Sequence, residues 1–233
     1  LIVLHLILSY YLYMLTNAQE KLIKSLHTKK GREKSGFCLV EGKKNIDAAR
    51  GDVEFIFTEK DTKKFNKLVS TENPQPIAAI ARIPHPTTQD VITKPVIVLL
   101  DGVQDPGNVG SIIRLCLGFD AALLLVECAD PTSPKVVRAS AGALFSVPWQ
   151  TLPRSHAEEA LFVMSRPVYR LEKSKNSVQS ITDEKIILIA GSEGQGISLP
   201  FKGKSVTILH NKKLESLNVG HALAITLSNL YKA

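Results

Sequence analysis

The chain has 233 residues, 44% apolar and 22% charged, sufficient for one large core or two modest ones. This composition excludes a disordered or fibrous protein, and three widely spaced cysteines without a CxxC pair argue against a disulfide framework or a structural zinc site. Lys and Arg outnumber Asp and Glu by 29 to 22, and residues 17–94 hold 15 of the bases against 10 acids. Such a surface attracts phosphate backbones through counterion release, so nucleic acid is the first partner to weigh against a plainly solvated basic face.

Residues 1–16 carry no charge. Leu1–Leu15 is almost wholly apolar, interrupted by His5 and Ser9, but is shorter than the ~20 residues of a spanning helix and lacks a basic leader. It is expected to be a peripheral apolar segment without stable membrane association. Next, Ala18, Leu22, Ile23 and Leu26 fall at helical spacing and predict an amphipathic helix over 17–26. A basic loop, His27–Ser35, precedes strands at Phe37–Val40, Val53–Thr58 and Ile77–Ile83, with helices at Asn45–Arg50 and Lys63–Val69 between them. These form a small α/β domain over 17–90, and the stretch from Pro84 to Lys94 is the best linker.

From residue 95 to 233 the texture changes. Val96–Leu100, Ala121–Val126 and Lys185–Ala190 are continuous apolar runs, as expected of parallel strands buried on both faces. Helical segments alternate with them at Asn108–Leu117, Ser133–Leu144, Ser155–Ala160 and Asn218–Tyr231. The fold class is therefore α/β, with a site expected at the carboxyl ends of the strands.

Three polar clusters occupy those ends. In the first, Asp101 to Arg114, a turn rich in Gly and Pro enters a helix with Asn108 as a plausible N-cap. Arg114 either binds a phosphate or carboxylate, or pairs with Asp101 or Asp105 and braces the turn. The second, Gly191 to Ser198, places Glu193 where a dinucleotide pyrophosphate would need to approach, so a Rossmann-type nucleotide site is disfavoured. Glu193 suits a hydrogen bond to a base edge or a ribose hydroxyl, or else is a solvated loop residue. In the third, Ser216 and Asn218 stand where the last helix begins, and capping accounts for one of them. His221 lies inside that helix without a catalytic partner pattern.

In order and spacing these clusters, DPGNVGSIIR, GSEGQGIS and ESLNVGHALAI, resemble the three signature motifs of the SpoU, or TrmH-type, RNA 2′-O-ribose methyltransferases. The resemblance extends over residues 17–233 and includes LHTKKGREKSGFCLVEGKKNI in the basic front half. It implies a C-terminal trefoil-knot methyltransferase domain over 95–233, a front substrate-binding domain of the ribosomal-protein L30e type, S-adenosylmethionine as cofactor and a homodimer. By motif, Gly191, Ile208 and Leu217 line the adenosylmethionine site. Arg114 takes the catalytic position, with Asn108, Glu193, Ser216 and Asn218 around the target ribose. Two departures stand out: Ile208-Leu209-His210 replaces the family's Ile-Pro-Met, and the front domain is shortened between Thr58 and Lys67.

The implied reaction is attack of a ribose 2′-oxygen on a sulfonium methyl, which needs alignment and proton removal but no metal. Arg114 serves either as the base or as a holder of phosphate and developing alkoxide. Lys29, Lys30 and Arg32 are the candidate RNA contacts, ribosomal RNA is favoured over transfer RNA, and a reducing, cytoplasmic setting is expected. The rival reading is an RNA-binding assembly factor without catalysis.

Overall fold

The computed structural model describes residues 14–178, 180–211 and 213–231, so nearly all of the apolar segment expected at 1–16 lies outside the described residues. In chain order the elements are α1 (Asn17–Ser25), α2 (Lys29–Ser35), β1 (Phe37–Glu41), α3 (Lys43–Ala48), β2 (Val53–Thr58), α4 (Phe65–Leu68) and β3 (Ile77–Arg82). There follow α5 (Thr88–Thr93), β4 (Val96–Asp101), α6 (Pro106–Gly118), β5 (Ala121–Val126), α7 (Pro134–Ala139), β6 (Trp149–Leu152) and α8 (Arg154–Met164). The chain ends with β7 (Val168–Leu171), β8 (Ile186–Gly191), β9 (Lys204–Val206) and α9 (Val219–Leu230).

These elements form two compact units. One contains the described residues up to Pro84 together with Thr132–Phe145, and the other contains His85–Pro131 and the chain from Ser146 onward. The first unit thus takes back a segment from within the apolar second half, an excursion the hydropathy pattern does not announce.

The first unit is built on an antiparallel sheet in the order β1-β3-β2. Its core gathers Ile23, Leu26, Leu39, Phe57, Phe65 and Ile80, and each such fully buried side chain contributes roughly 1.5–3 kcal/mol. The returning helix α7 is tied in by Arg138, whose Nη1 donates to Ser70 Oγ at 2.9 Å and Thr71 Oγ1 at 2.8 Å. The basic stretch 27–35, expected as a loop, is instead helical. Thr28 Oγ1 accepts from Gly31 N at 3.1 Å to start α2, and Gly36 ends it in the left-handed region at φ 73°.

The second unit carries six parallel strands in the order β6-β5-β4-β8-β7-β9. The three predicted apolar runs are its central strands, buried from end to end save the last residue of β8 because helices cover both faces. Strands β6, β7 and β9 are not visible as hydropathy runs. They are short, and β9 is the polar tripeptide Lys204-Ser205-Val206 at the sheet edge. The stretch expected as a linker holds α5, begun by a reciprocal capping box between Thr87 and Asp90. After β9 the chain returns from the edge, and α9 packs on α6 and β8. Among the described residues no helix is long and apolar enough to cross a membrane, and no group of three or more His, Cys, Asp or Glu is placed to hold a metal.

Candidate active site

At the carboxyl edge of the sheet Asp101 stands in register with Val126 on β5 and Gly191 on β8, so the loops leaving these strands start side by side. Pro106 opens α6, and the N-cap is Asp105, whose Oδ1 accepts from Asn108 N at 2.7 Å. Asn108 therefore does not cap the helix, as its sequence position suggested, and its side chain is released for other contacts. Its Nδ2 donates to Glu193 Oε1 at 3.1 Å.

Asn218 caps α9, its Oδ1 accepting from Gly220 N at 2.9 Å and His221 N at 3.3 Å. Its Nδ2 donates to the same Glu193 Oε1 at 2.7 Å and to Asn108 Oδ1 at 3.0 Å. One residue from each of the three polar clusters thus meets at a single carboxylate oxygen. The other oxygen of Glu193 has no partner among the described residues, and the side chain is exposed. Asn108 and Glu193 line a cleft of about 460 Å³ together with Gln104, Glu127, Arg154 and Val219.

Beside it lies a second carboxylate that sequence reasoning missed. Asp101 is almost wholly buried, at 1% exposure. Its Oδ2 accepts from Ser198 N at 2.6 Å and Leu199 N at 2.7 Å, and its Oδ1 accepts from Arg154 Nη2 at 2.7 Å. Burial acts to raise this carboxyl, but the bonds from Leu199 N, Arg154 and Ser198 N outweigh it and hold the group below its ordinary value. Arg154 also donates from Nε to Glu127 Oε2 at 2.7 Å and from Nη1 to Ser198 Oγ at 3.0 Å. No local pattern could have announced this pair, because 53 residues separate Asp101 from Arg154. The cysteine at this edge, Cys128, is pushed up to about 11, chiefly by burial, and offers no thiolate nucleophile.

The remaining sequence candidates are dispersed. Arg114 is exposed on α6, lines no part of the cleft and has no hydrogen bond or ion pair among the described residues. Six residues on a helix turn the side chain about 120° away from Asn108 and about 9 Å along the axis, which accounts for the separation. Neither Asp101 nor Asp105 braces it, since both are engaged elsewhere. Ser216 is exposed and makes no hydrogen bond among the described residues.

Ile208 is half-buried and lines a second cleft of about 440 Å³ with Lys173, Lys175, Thr207, His210 and Leu214. Gly191 and Leu217 line neither cleft. A Cβ at Gly191 would come within 2.1 Å of the Gly196 carbonyl, so the loop's own closure requires the glycine. In the first unit Lys29 and Lys30 are exposed. Arg32 is not: it is 3% exposed and donates to Leu26 O at 2.7 Å and Thr132 Oγ1 at 3.1 Å. Its guanidinium holds the fold of that unit, which corrects its assignment as an RNA contact.

Residues 95–228 match the SpoU rRNA Methylase family, and that span contains all three clusters. The chain belongs to this family. A relative from Bacillus subtilis (strain 168), the 23S rRNA (guanosine(2553)-2′-O)-methyltransferase RlmP, is 31% identical over 92% of this chain and 96% of its own. The 23S rRNA (adenosine(1067)-2′-O)-methyltransferase of Streptomyces laurentii is 34% identical over 70% of this chain and 64% of its own. Among solved structures, a putative RNA methyltransferase of the TrmH family from Porphyromonas gingivalis superposes with a TM-score of 0.79 at 28% identity, covering 94% of this chain and 98% of that one. An AdoMet-bound rRNA methyltransferase from Sinorhizobium meliloti shares the fold at a TM-score of 0.81 and 24% identity, over 93% of this chain and 95% of that one.

Proposed function

We propose that this SpoU-family chain transfers a methyl group from S-adenosylmethionine to a ribose 2′-oxygen of ribosomal RNA. The observation that carries the reading is the meeting of Asn108, Glu193 and Asn218 at one exposed carboxylate. The names of the relatives from Bacillus subtilis and Streptomyces laurentii support ribosomal RNA as the substrate.

The cleft beside Ile208 fits the cofactor's chemistry. Its volume lies in the range of small-molecule sites, Ile208 and Leu214 offer apolar surface for an adenine, and Lys173 and Lys175 offer charge for a carboxylate. When bound, adenosylmethionine supplies a methyl activated on a sulfonium, whose leaving group is a neutral thioether. Gly191 and Leu217 act on the flanking loops, and Ser216 faces the ribose from the third.

The chain's residues supply alignment. The two amides fix Glu193, and its remaining oxygen accepts from a ribose hydroxyl and sets the direction of the 2′-oxygen; such positioning is worth up to ~7 kcal/mol or more of a barrier. Arg114, without a partner among the described residues, takes a phosphate or the developing alkoxide, where a charged fork binds best, and the 2′-proton leaves through water. Lys29 and Lys30 contact the RNA backbone from the 17–90 domain.

The trefoil knot, the L30e-type front domain and the homodimer belong to the same proposal. The return of α9 from the sheet edge to its centre supports the first. Exposed Leu117 and Ile225 on the packed α6–α9 pair support the last. A cytoplasmic setting accords with three cysteines in no disulfide. The test is 2′-O-methyl mapping of ribosomal RNA from a strain lacking the gene, before and after complementation. One ribose losing and regaining its methyl supports the reading; an unchanged map contradicts it.

A further inference from the structure

The loop that carries Glu193 is closed on a single residue. It leaves β8 at Gly191, and Ser192 N donates to the backbone oxygen of Asp101 at 3.0 Å. It returns with Ser198 N and Leu199 N bound to the carboxylate of the same Asp101. Between these anchors the loop is short and tight: Gly196 N donates to Ser192 O at 2.9 Å, and Gly196 sits at φ 67°. Arg154, the first residue of α8, grips the outgoing end from outside through Asp101 and Ser198 Oγ, and is itself held by Glu127. Glu127 occupies the left-handed region at φ 49°, so a strained backbone presents that carboxylate.

We infer that Asp101 and Arg154 are positioning residues for methyl transfer, a clamp that holds the Ser192–Ser198 loop so that Glu193 meets Asn108 and Asn218. This rests on the reading of that cluster as the transfer site. Both residues act through Glu193 rather than on RNA. Three of Arg154's five N–H donors are already spent on Asp101, Glu127 and Ser198. A side chain placed to bind a phosphate would present its fork to solvent instead. The carboxylate of Asp101 is sealed from the cleft, with a fully buried side chain.

The test pairs amide exchange with single-turnover kinetics on the full chain. Arg154→Gln is the main variant because its side chain reaches the surface; Ser198→Ala, which removes only a hydroxyl, is the milder second. In Arg154→Gln the amides of Ser198 and Leu199 should exchange about 10-fold faster. Transfer at saturating RNA should fall about 10-fold or more, with KM for ribosomal RNA within about twofold. Combined with Glu193→Gln, the loss should be far from additive, since both changes reach the reaction through one side chain. Ser198→Ala should move exchange and transfer in the same directions by less.

Faster exchange with unchanged transfer per folded molecule would make the pair purely structural and overturn the inference. A raised KM at constant kcat would place Arg154 on the RNA and overturn it too, as would unchanged exchange. Wild-type protein that exchanges as described yet transfers no methyl would strike the proposed function instead.

Discussion

Asp101 and Glu193 are two carboxylates at one edge of the same sheet, and their surroundings are opposite. Asp101 is buried, with both oxygens saturated by backbone donors and a guanidinium. Glu193 is exposed and keeps one oxygen without a partner among the described residues. A saturated buried carboxylate has no capacity left for substrate and stores its value in the fold. One held by two amides and otherwise open is pre-set to accept a hydroxyl.

The largest effects should come from the open cluster. Asn218→Ala removes both the donor to Glu193 and the cap of α9, and should slow transfer by ~100-fold. The lost cap adds about 1 kcal/mol of destabilisation, a fall of roughly 2–4 °C in Tm. Asn218→Asp separates the two: it can restore the cap while placing a second carboxylate against Glu193, so the melting curve should recover and the transfer rate should not. Arg114→Lys should also cost ~100-fold in transfer with an unchanged melting curve, since the fork binds no residue among those described.

The saturated carboxylate should respond the other way. Asp101→Asn should destabilise the fold by about 1.5–3 kcal/mol in urea unfolding, because backbone donors lose an ionised acceptor. Its folded pKa is lowered, so its contribution is present above the unfolded value near pH 4 and vanishes as pH falls through the folded value. Acid titration of wild-type stability should therefore steepen below about pH 4, and Asp101→Asn should flatten that limb.

The same contrast divides the basic residues of the front unit. Lys29→Ala with Lys30→Ala should leave stability within about 0.5 kcal/mol and lower the log–log salt slope of RNA binding by up to ~2 units. Arg32→Ala should do the reverse, losing about 1–3 kcal/mol through its bonds to Leu26 O and Thr132 Oγ1, with no change in slope.

These pairs also mark what the sequence could disclose. Val96–Leu100, Ala121–Val126 and Lys185–Ala190 were legible because burial on both faces demands unbroken apolar runs. Tyr169-Arg170 within β7 and Lys204-Ser205 within β9 were not: β9 is an edge strand and needs no such run, and in the interior strand β7 Arg170 makes its polar bonds to Leu199 O and Phe201 O. The meeting of Asn108, Glu193 and Asn218 was foreshadowed by three polar clusters at strand ends. Capping was half legible: a Gly- and Pro-rich turn announced the helix start, but the cap is Asp105, just before Pro106 at the first helical position, rather than Asn108. Arg32 looked like its exposed neighbours because charge in a sequence carries no record of burial. Asp101 and Arg154 met through topology alone.

The most direct test is single-turnover methyl transfer by Glu193→Gln, using tritiated adenosylmethionine and ribosomal RNA from the deletion strain, beside a melting curve. The substitution keeps the side chain's shape and removes its charge at an exposed position. Transfer should fall by ~100-fold or more while Tm stays within about 2 °C. Wild-type transfer by a fully folded Glu193→Gln would contradict the assignment of the Asn108–Glu193–Asn218 cluster as the site of methyl transfer.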